Sequence, residues 1–234
     1  MIGKLIVIEG TDCSGKETQT KKLLGRLNDK GIKTYYFSYP NYSSPTGKIV
    51  GGPYLGKKEI GPCWFKEGAV NVDPYVSSLY YAADRKYNID SILHLLNNGS
   101  NVILDRYVYS NMAHQGSKLS SKSAREEIYS FLEQLEFNLL KLPVPDIKIF
   151  LHMPNHFAKI LKQNRESIDE HEKDEDYLIK AEKTYIEIAD VYDFKTIECV
   201  SNNEIRSIDN ISDEVFSFVL DRIDDNGNNR TSWE

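Results

Sequence analysis

The sequence is short of cysteine, of long apolar runs and of positive charge. Its three cysteines, Cys13, Cys63 and Cys199, lie far apart without metal-ligand spacing, which argues against a disulfide framework and favours a reducing compartment. No apolar run approaches the roughly 18 residues that a membrane-spanning helix needs, and no secretory signal precedes the first apolar segment. The net charge of −6 lacks the basic surplus of a general nucleic-acid binder. We therefore expect a cytoplasmic protein that binds neither membranes nor nucleic acid.

What is present is typical of a globular enzyme. The chain has 234 residues, of which 40% are hydrophobic and 27% charged, as in ordinary folded domains. This length can bury the core of one large domain. We predict a single domain over residues 1–223 and a polar, disordered tail over residues 224–234.

A glycine-rich segment, Gly10–Lys16, directly follows the apolar run Leu5–Ile8. It has the form G-x-x-x-x-G-K between a buried strand and a helix, where backbone N–H groups and the helix dipole bind phosphate oxygens and the lysine reaches the outer phosphates. The alternative is a glycine-rich turn with an incidental lysine. Position 17 is Glu where the motif usually has the Ser or Thr that binds Mg²⁺. The predicted ATP-binding residues are Gly10, Thr11, Asp12, Cys13, Ser14, Gly15, Lys16, Glu17 and Thr18.

Apolar runs alternate with helical patterns along the rest of the chain. Near-continuous apolar strands separated by helices predict an α/β fold with a parallel sheet covered on both faces. An irregular segment over residues 41–73 is rich in glycine and proline, and we expect it to shape a pocket. The predicted strands are 5–8, 34–37, 102–104, 147–151 and 196–200. The predicted helices are 16–30, 74–97, 123–142, 155–163, one ending near 192, and 204–223.

A second polar cluster, Asp105 and Arg106, directly follows the predicted strand 102–104. Ligands bind beyond the carboxyl ends of parallel strands, so this pair and the phosphate loop should meet at one site. Asp105 can hold Mg²⁺ or orient its neighbours, and Arg106 can neutralise charge on a transferring phosphoryl group. The alternative is a structural ion pair at the end of a strand.

Aromatic and amide side chains indicate a nucleobase site. Tyr81 and Arg85 stand four positions apart on a predicted helix and share a face, which places a ring for stacking beside a fork of donors. Ser110, Asn111 and Gln115 follow the strand-end pair closely, and such side chains can read base edges. Taken alone, the run around Tyr81 is more typical of a buried core.

Together these segments resemble the thymidylate kinases, the nucleoside monophosphate kinases that phosphorylate dTMP. The resembling segments are residues 10–16, 39–40, 81–85, 105–111 and 142–146, in family order through most of the chain up to about residue 192. The resemblance implies a five-stranded parallel sheet with helices on both faces, which is the P-loop nucleoside monophosphate kinase fold. It also implies a short lid over about residues 163–176 and a homodimer packed through helices.

The resemblance implies a catalytic set of Lys16, Arg106, Arg165 and Asp12. Arg106 would bridge the acceptor phosphate and the γ-phosphoryl group, and Arg165 would be the lid arginine that closes over the phosphates. Asp12 would contact the acceptor's 3′-hydroxyl and the metal region, so Asp12 and Asp105 are the candidate Mg²⁺ ligands. The lid residues implied near the acceptor are Asp169, His171 and Glu172.

The residues implied for dTMP are Asp12, Tyr42, Tyr81, Arg85, Arg106, Ser110, Asn111 and Gln115. Tyr81 would stack on thymine and Arg85 would donate to a thymine carbonyl. Tyr42 stands where many members have Arg, and Cys13 stands where some have a basic residue, which shifts the cationic role to Arg165. His114 stands where a Tyr often excludes a ribose 2′-hydroxyl.

We therefore expect in-line phosphoryl transfer from Mg·ATP to dTMP, giving ADP and dTDP without a covalent enzyme intermediate. The nearer alternative is a kinase for another deoxynucleotide or a deoxynucleoside, which a panel of acceptors would identify. The more distant alternative is a non-catalytic nucleotide-binding module, which would bind ATP without acceptor-dependent turnover. The base preference rests on the resemblance and not on residue spacing.

Overall fold

A five-stranded parallel sheet forms the centre of the protein, as the sequence predicts. The computed structural model describes residues 2–162 and 175–228. The strands are β1 (Leu5–Gly10), β2 (Thr34–Ser38), β3 (Asn101–Asp105), β4 (Ile147–His152) and β5 (Lys195–Glu198). Their order across the sheet is β2-β3-β1-β4-β5, and every neighbouring pair is parallel. The phosphate loop, which follows β1, therefore begins at the middle of the sheet.

Helices cover both faces of this sheet. They are α1 (Lys16–Asp29), α2 (Pro45–Ile49), α3 (Pro74–Asn97), α4 (Val108–Gly116), α5 (Lys122–Leu132), α6 (Asn155–Lys162), α7 (Glu175–Val191) and α8 (Ile208–Asn228). The π-helical segments Val50–Tyr54 and Glu133–Leu139 continue α2 and α5, and Ala69–Asn71 is a 3₁₀ turn. After β5, the strands β6 (Val200–Ser201) and β7 (Glu204–Ile205) form an antiparallel hairpin. In the described part of the chain, no helix combines the length and apolarity needed to cross a bilayer.

Alternate residues of β1 enter different halves of the core. Leu5 and Val7 pack with residues of α3, α4, α5 and α7, whereas Ile6 and Ile8 pack with residues of α1 and α8. Successive side chains of a strand point to opposite faces, so a strand that is apolar throughout must be covered on both. All four side chains are at most 1% exposed. This burial fixes the position of β1 and of the loop that follows it.

The segment 41–73, predicted as irregular, contains α2 and its π-helical continuation. The Ser44 side chain caps α2 by accepting a hydrogen bond from the Gly47 N–H. Asp84 on α3 holds the preceding loop, because its carboxylate accepts a hydrogen bond from the Asn41 N–H at 2.8 Å. Contacts with α3 thus order this segment, and local sequence patterns do not contain that information.

Several predicted helix bounds are wrong. The helix predicted over 123–142 is α5 with its π-helical continuation, and α4 was not predicted at all. The last helix begins at Ile208 rather than at residue 204, because the β6–β7 hairpin precedes it. It runs to Asn228, so residues 224–228, assigned to a disordered tail, are helical. Residues 229–234 lie outside the described residues.

Candidate active site

A cavity of about 290 Å³ lies at the carboxyl edge of the sheet. Ile8 in β1 pairs with Asp105 in β3, so the segments that follow these two strands meet there. The cavity is lined by Asp12, Ser38, Tyr39, Pro40, Tyr42, Leu55, Lys57, Tyr81, Asp105, Arg106, His114 and Leu178. The phosphate loop and the strand-end pair therefore share one site, as expected.

Close backbone packing shapes the phosphate loop. A Cβ on Gly10 would lie 2.6 Å from Ser14 Oγ and 2.8 Å from the Leu151 carbonyl oxygen, so a larger residue would displace the loop. Gly15 has a φ of 75°, a left-handed conformation that glycine adopts readily. Because Gly15 has no side chain to cap α1, the N–H groups of the first turn are available to an anion. The loop has the form of a phosphate cradle.

Lys16 lies across this cradle. Its Nζ donates hydrogen bonds to the carbonyl oxygens of Gly10 at 2.8 Å and Thr11 at 3.0 Å. Burial, reinforced by the charge of Arg106, lowers the pKa of Lys16 to about 8. The nearby carboxylates oppose this shift only in part. A bound polyphosphate would favour the charged ammonium group and raise this pKa.

The Glu17 side chain faces away from the cradle. Its carboxylate pairs with Lys21 one turn along α1, and the two side chains are 68% and 61% exposed. Glu17 therefore does not replace the hydroxyl that binds Mg²⁺ in most loops of this type. Its contribution to the predicted ATP site is limited to its backbone N–H.

Arg106 reaches the cavity from a left-handed backbone conformation with a φ of 68°, which is rare for residues other than glycine and concentrated at functional sites. Its Nη1 donates to Tyr185 OH at 3.1 Å and to Ser110 Oγ at 3.4 Å. Its Nη2 lies 3.9 Å from Asp12 Oδ1. Burial opposes the charge, but Tyr185 and Asp12 raise the pKa of Arg106 above its ordinary value. The guanidinium is therefore a permanent cation at the cavity wall.

Sequence analysis missed Glu9, the last charged residue before the loop. Its side chain is buried and accepts hydrogen bonds from the Tyr107 N–H at 2.8 Å and the Ser110 N–H at 3.0 Å, and from the Ser110 hydroxyl. These groups begin α4, which has no side-chain cap of its own, so a carboxylate from β1 supplies the cap. Burial raises the pKa of Glu9, and these hydrogen bonds, which lower it, offset that effect only in part. The only signal in the sequence is a single charge inside an apolar strand.

Asp12 and Asp105 fit a shared Mg²⁺ site. Both line the cavity, and Asp105 Oδ1 is buried without a hydrogen-bond partner among the residues that the structure describes. Mg²⁺ prefers oxygen ligands and is commonly held by one or two carboxylates together with substrate phosphates. Within residues 2–162 and 175–228, no cluster of three or more His, Cys, Asp or Glu could hold a metal alone. The two carboxylates therefore fit a metal that the nucleotide phosphates also bind.

The predicted base-binding residues take different positions. Tyr81 lines the cavity and packs edge-on against Tyr54, with ring centres 5.7 Å apart. Arg85, Asn111 and Gln115 are at most 2% exposed and are absent from the cavity lining. Arg85 belongs to α3 and the other two to α4, and Arg85 and Asn111 both donate hydrogen bonds to Glu136. Their role toward the base stays a prediction.

Lys57 is a cation of the cavity that sequence analysis did not single out. It comes from segment 41–73 and lines the cavity together with Tyr42. Its Nζ lies 5.2 Å from the centre of the Tyr42 ring, within the range of a cation–π contact. The sequence held no signal for this placement, because Lys57 is one of two adjacent lysines in an irregular stretch.

His114 connects the cavity to α7. Its Nδ1 lies 2.8 Å from Tyr177 OH, and the two rings stack with centres 5.9 Å apart. Of the predicted lid over residues 163–176, residues 175–176 begin α7. The four lid residues implied by the resemblance lie outside the described residues, namely Arg165, Asp169, His171 and Glu172.

Comparison with known proteins identifies a consistent set of relatives. The family model described as thymidylate kinase matches residues 8–211. A thymidylate kinase of Dictyostelium discoideum is 31% identical over 92% of this chain and 84% of its own length. A probable thymidylate kinase of Pyrococcus horikoshii is 28% identical over 94% of this chain and 97% of its own. The solved structure of Candida albicans thymidylate kinase has the same fold, with a TM-score of 0.73 and 24% identity over 95% of this chain and 93% of that one.

The lowered pKa of Lys16 generates a prediction about protons. A polyphosphate should raise this pKa, so binding of Mg·ATP near pH 8 should take up protons, and affinity should fall as the pH rises through about 8. Calorimetric titration in buffers of different ionisation enthalpy measures the uptake.

The control is Lys16→Arg, whose guanidinium stays charged across this pH range. We expect this variant to lose the proton uptake. An uptake of unchanged size in Lys16→Arg would show that another group titrates.

Proposed function

The chain belongs to the thymidylate kinase family, and we propose that it transfers the γ-phosphoryl group of ATP to the 5′-phosphate of dTMP, giving ADP and dTDP. One observation carries the proposal: the phosphate loop shares a cavity with a second cationic wall formed by Arg106 and Lys57. A protein that only binds ATP has no need for a second anion site. A kinase with a phosphorylated acceptor needs both.

Catalysis in this site is positioning together with charge neutralisation. Lys16 and the first turn of α1 hold the outer phosphates of ATP, and Arg106 lies where the two phosphate groups approach each other. The lid arginine, Arg165, would close over the phosphates and exclude water. The acceptor phosphate is itself the nucleophile, so no covalent intermediate with the protein is required.

Mg²⁺ is the cofactor that the carboxylates of Asp12 and Asp105 fit. When bound with ATP it would neutralise negative charge on the triphosphate. Asp12 is the residue of the phosphate loop that approaches Arg106, with its Oδ1 3.9 Å from Nη2 of the arginine. This position also suits a contact with the acceptor's 3′-hydroxyl.

The acceptor base lies against α3 in this proposal. Tyr81 stacks on the ring, and Arg85, Asn111 and Gln115 supply polar contacts to its edge. Ser110 contributes indirectly, because its hydroxyl is already bound to Glu9 and to Tyr185 and holds Arg106 in place.

A panel of acceptors tests the reaction. We expect ADP release in a coupled assay to be much faster with dTMP than with dUMP, dCMP, dGMP or thymidine. Arg106→Ala should lower turnover by orders of magnitude, because it removes the permanent cation between the phosphates, while the thermal unfolding midpoint stays close to that of the wild type.

Two outcomes would identify the alternatives. Faster turnover with another deoxynucleotide or with thymidine would make the protein a kinase for that acceptor. ATP binding without turnover on any acceptor would make it a nucleotide-binding module.

Lys57 has a separate test. Tyr42 stands where many family members have Arg, and Lys57 would supply the missing cation to the acceptor phosphate. Lys57→Met should then raise KM for dTMP by roughly tenfold or more, which is the range for a lost charged hydrogen bond. KM for ATP should stay unchanged. The matched control is Lys58→Met at the next, exposed position. Equal KM values for dTMP in the two variants would remove Lys57 from the acceptor site.

The homodimer is also a proposal, and an apolar face of α3 supports it. Val76, Leu79 and Tyr87 are 43%, 49% and 60% exposed and lie on one side of the helix. Leu79→Glu should shift the mass measured by light scattering from dimer to monomer. A wild-type protein that is monomeric at micromolar concentration would contradict the proposal.

The cytoplasmic location and the absence of a nucleic-acid partner stay predictions.

A further inference from the structure

Arg85, the proposed donor to the acceptor base, is held by a buried carboxylate. Glu136 lies in the π-helical continuation of α5, 51 positions further along the chain. The two side chains are 3% and 0% exposed. Nε and Nη2 of Arg85 both donate to this carboxylate, and Nη2 lies 2.6 Å from Oε1. This two-point contact fixes the plane of the guanidinium. The third nitrogen, Nη1, does not contact the carboxylate and makes only a long contact of 3.5 Å with the Tyr107 carbonyl oxygen.

The same carboxylate sets the polarity of the Asn111 amide. Nδ2 of Asn111 donates to the Ser78 carbonyl oxygen at 3.1 Å and to Glu136 Oε1 at 3.2 Å. Both partners can only accept hydrogen bonds, so the amide nitrogen must face them and Oδ1 must face elsewhere. Oδ1 is buried and has no hydrogen-bond partner within the described ranges. Asn111 therefore keeps one unused acceptor.

Gln115 extends this arrangement by one turn of α4. Its side chain is fully buried, and neither amide atom has a hydrogen-bond partner in the part of the chain that the structure describes. Positions 111 and 115 are one turn apart, so both side chains leave α4 on the same face. Buried amide atoms without partners are costly. A ligand that pairs with them would recover that free energy.

We propose that Glu136 is a positioning residue that sets the base preference of the acceptor site, by presenting Arg85 Nη1 as a donor and Asn111 Oδ1 as an acceptor. The edge of thymine offers the complementary pair, a carbonyl oxygen beside an N–H. Cytosine offers an amino group beside an unprotonated nitrogen, which is the opposite at both positions. The inference rests on the proposed function, because it concerns the acceptor of that reaction.

A purely structural role would account poorly for this pair. Burying two charges requires desolvation of both, and apolar side chains of similar volume often stabilise a core as well or better. Asn111 adds a third polar group to the same carboxylate. Fixed donors and acceptors with set directions are what selective recognition of a base requires, since a mismatched base leaves them unpaired.

The test is the ratio of kcat/KM for dTMP to kcat/KM for dCMP in Glu136→Gln. Glutamine has nearly the same shape but has one acceptor oxygen in place of two, so it cannot accept all the hydrogen bonds that Arg85 and Asn111 donate to Glu136. We expect this ratio to fall at least about tenfold, mainly through KM for the acceptor, with KM for ATP unchanged. The ratio of dTMP to dUMP should change by less than about twofold, because uracil has the same edge.

Both ratios are measured on one sample and do not depend on how much of the variant is folded. Glu136→Asp keeps the charge on a shorter side chain, and it should lower the dTMP to dCMP ratio in the same direction if Glu136→Gln cannot be purified. The matched control is Glu127→Gln, an exposed glutamate on α5, which should leave both ratios unchanged.

Two results distinguish a failure of the inference about Glu136 from a failure of the proposed function. A lowered unfolding midpoint with an unchanged dTMP to dCMP ratio would make Glu136 a structural residue and overturn the inference. Wild-type protein without dTMP-dependent turnover would instead overturn the proposed function.

Discussion

The site depends on one buried carboxylate, that of Glu9. It joins the end of β1 to the start of α4 through the backbone N–H groups of Tyr107 and Ser110. The phosphate loop begins one residue after Glu9, and Arg106 directly precedes the segment that Glu9 caps. A single charge therefore fixes the distance between the phosphate loop and Arg106. Since it is fully desolvated, its hydrogen bonds must all be satisfied for the fold to tolerate it.

Features encoded by neighbouring residues were predictable from the sequence, whereas features created by distant contacts were not. The phosphate loop, the central strand and the long α3 follow from local patterns, and the structure has them where expected. Helix α4, which was not predicted, has a carboxylate from β1 as its cap. The partner of Arg85, Glu136, was also missed and lies 51 positions further along the chain. Arg106 lines the cavity because it follows β3 and strand ends converge at one edge of a parallel sheet, whereas Tyr81 reaches the cavity from α3.

Three cations lie at the candidate site of a protein that is acidic as a whole. The cavity wall carries Lys57 and Arg106, and Lys16 lies at the adjoining cradle. The net charge of −6 disfavours non-specific attraction of polyanions, whereas these three side chains offer a small anion cationic partners at one place. Two of these three cations were predicted from the sequence. The third, Lys57, comes from a segment that contacts with α3 help to order, and local sequence patterns do not show such contacts.

Helix α3 has two different faces, one toward the cavity and one toward solvent. Its inner side carries Tyr81, Arg85 and Asp84, and through Asp84 it also holds the loop that leads to Tyr42. Its outer side carries the exposed apolar residues. The same helix therefore carries the residues proposed for the acceptor base and the exposed face proposed for the dimer. If this outer side forms the proposed dimer interface, one helix connects monophosphate binding to self-association, and each would change the equilibrium of the other by the same factor.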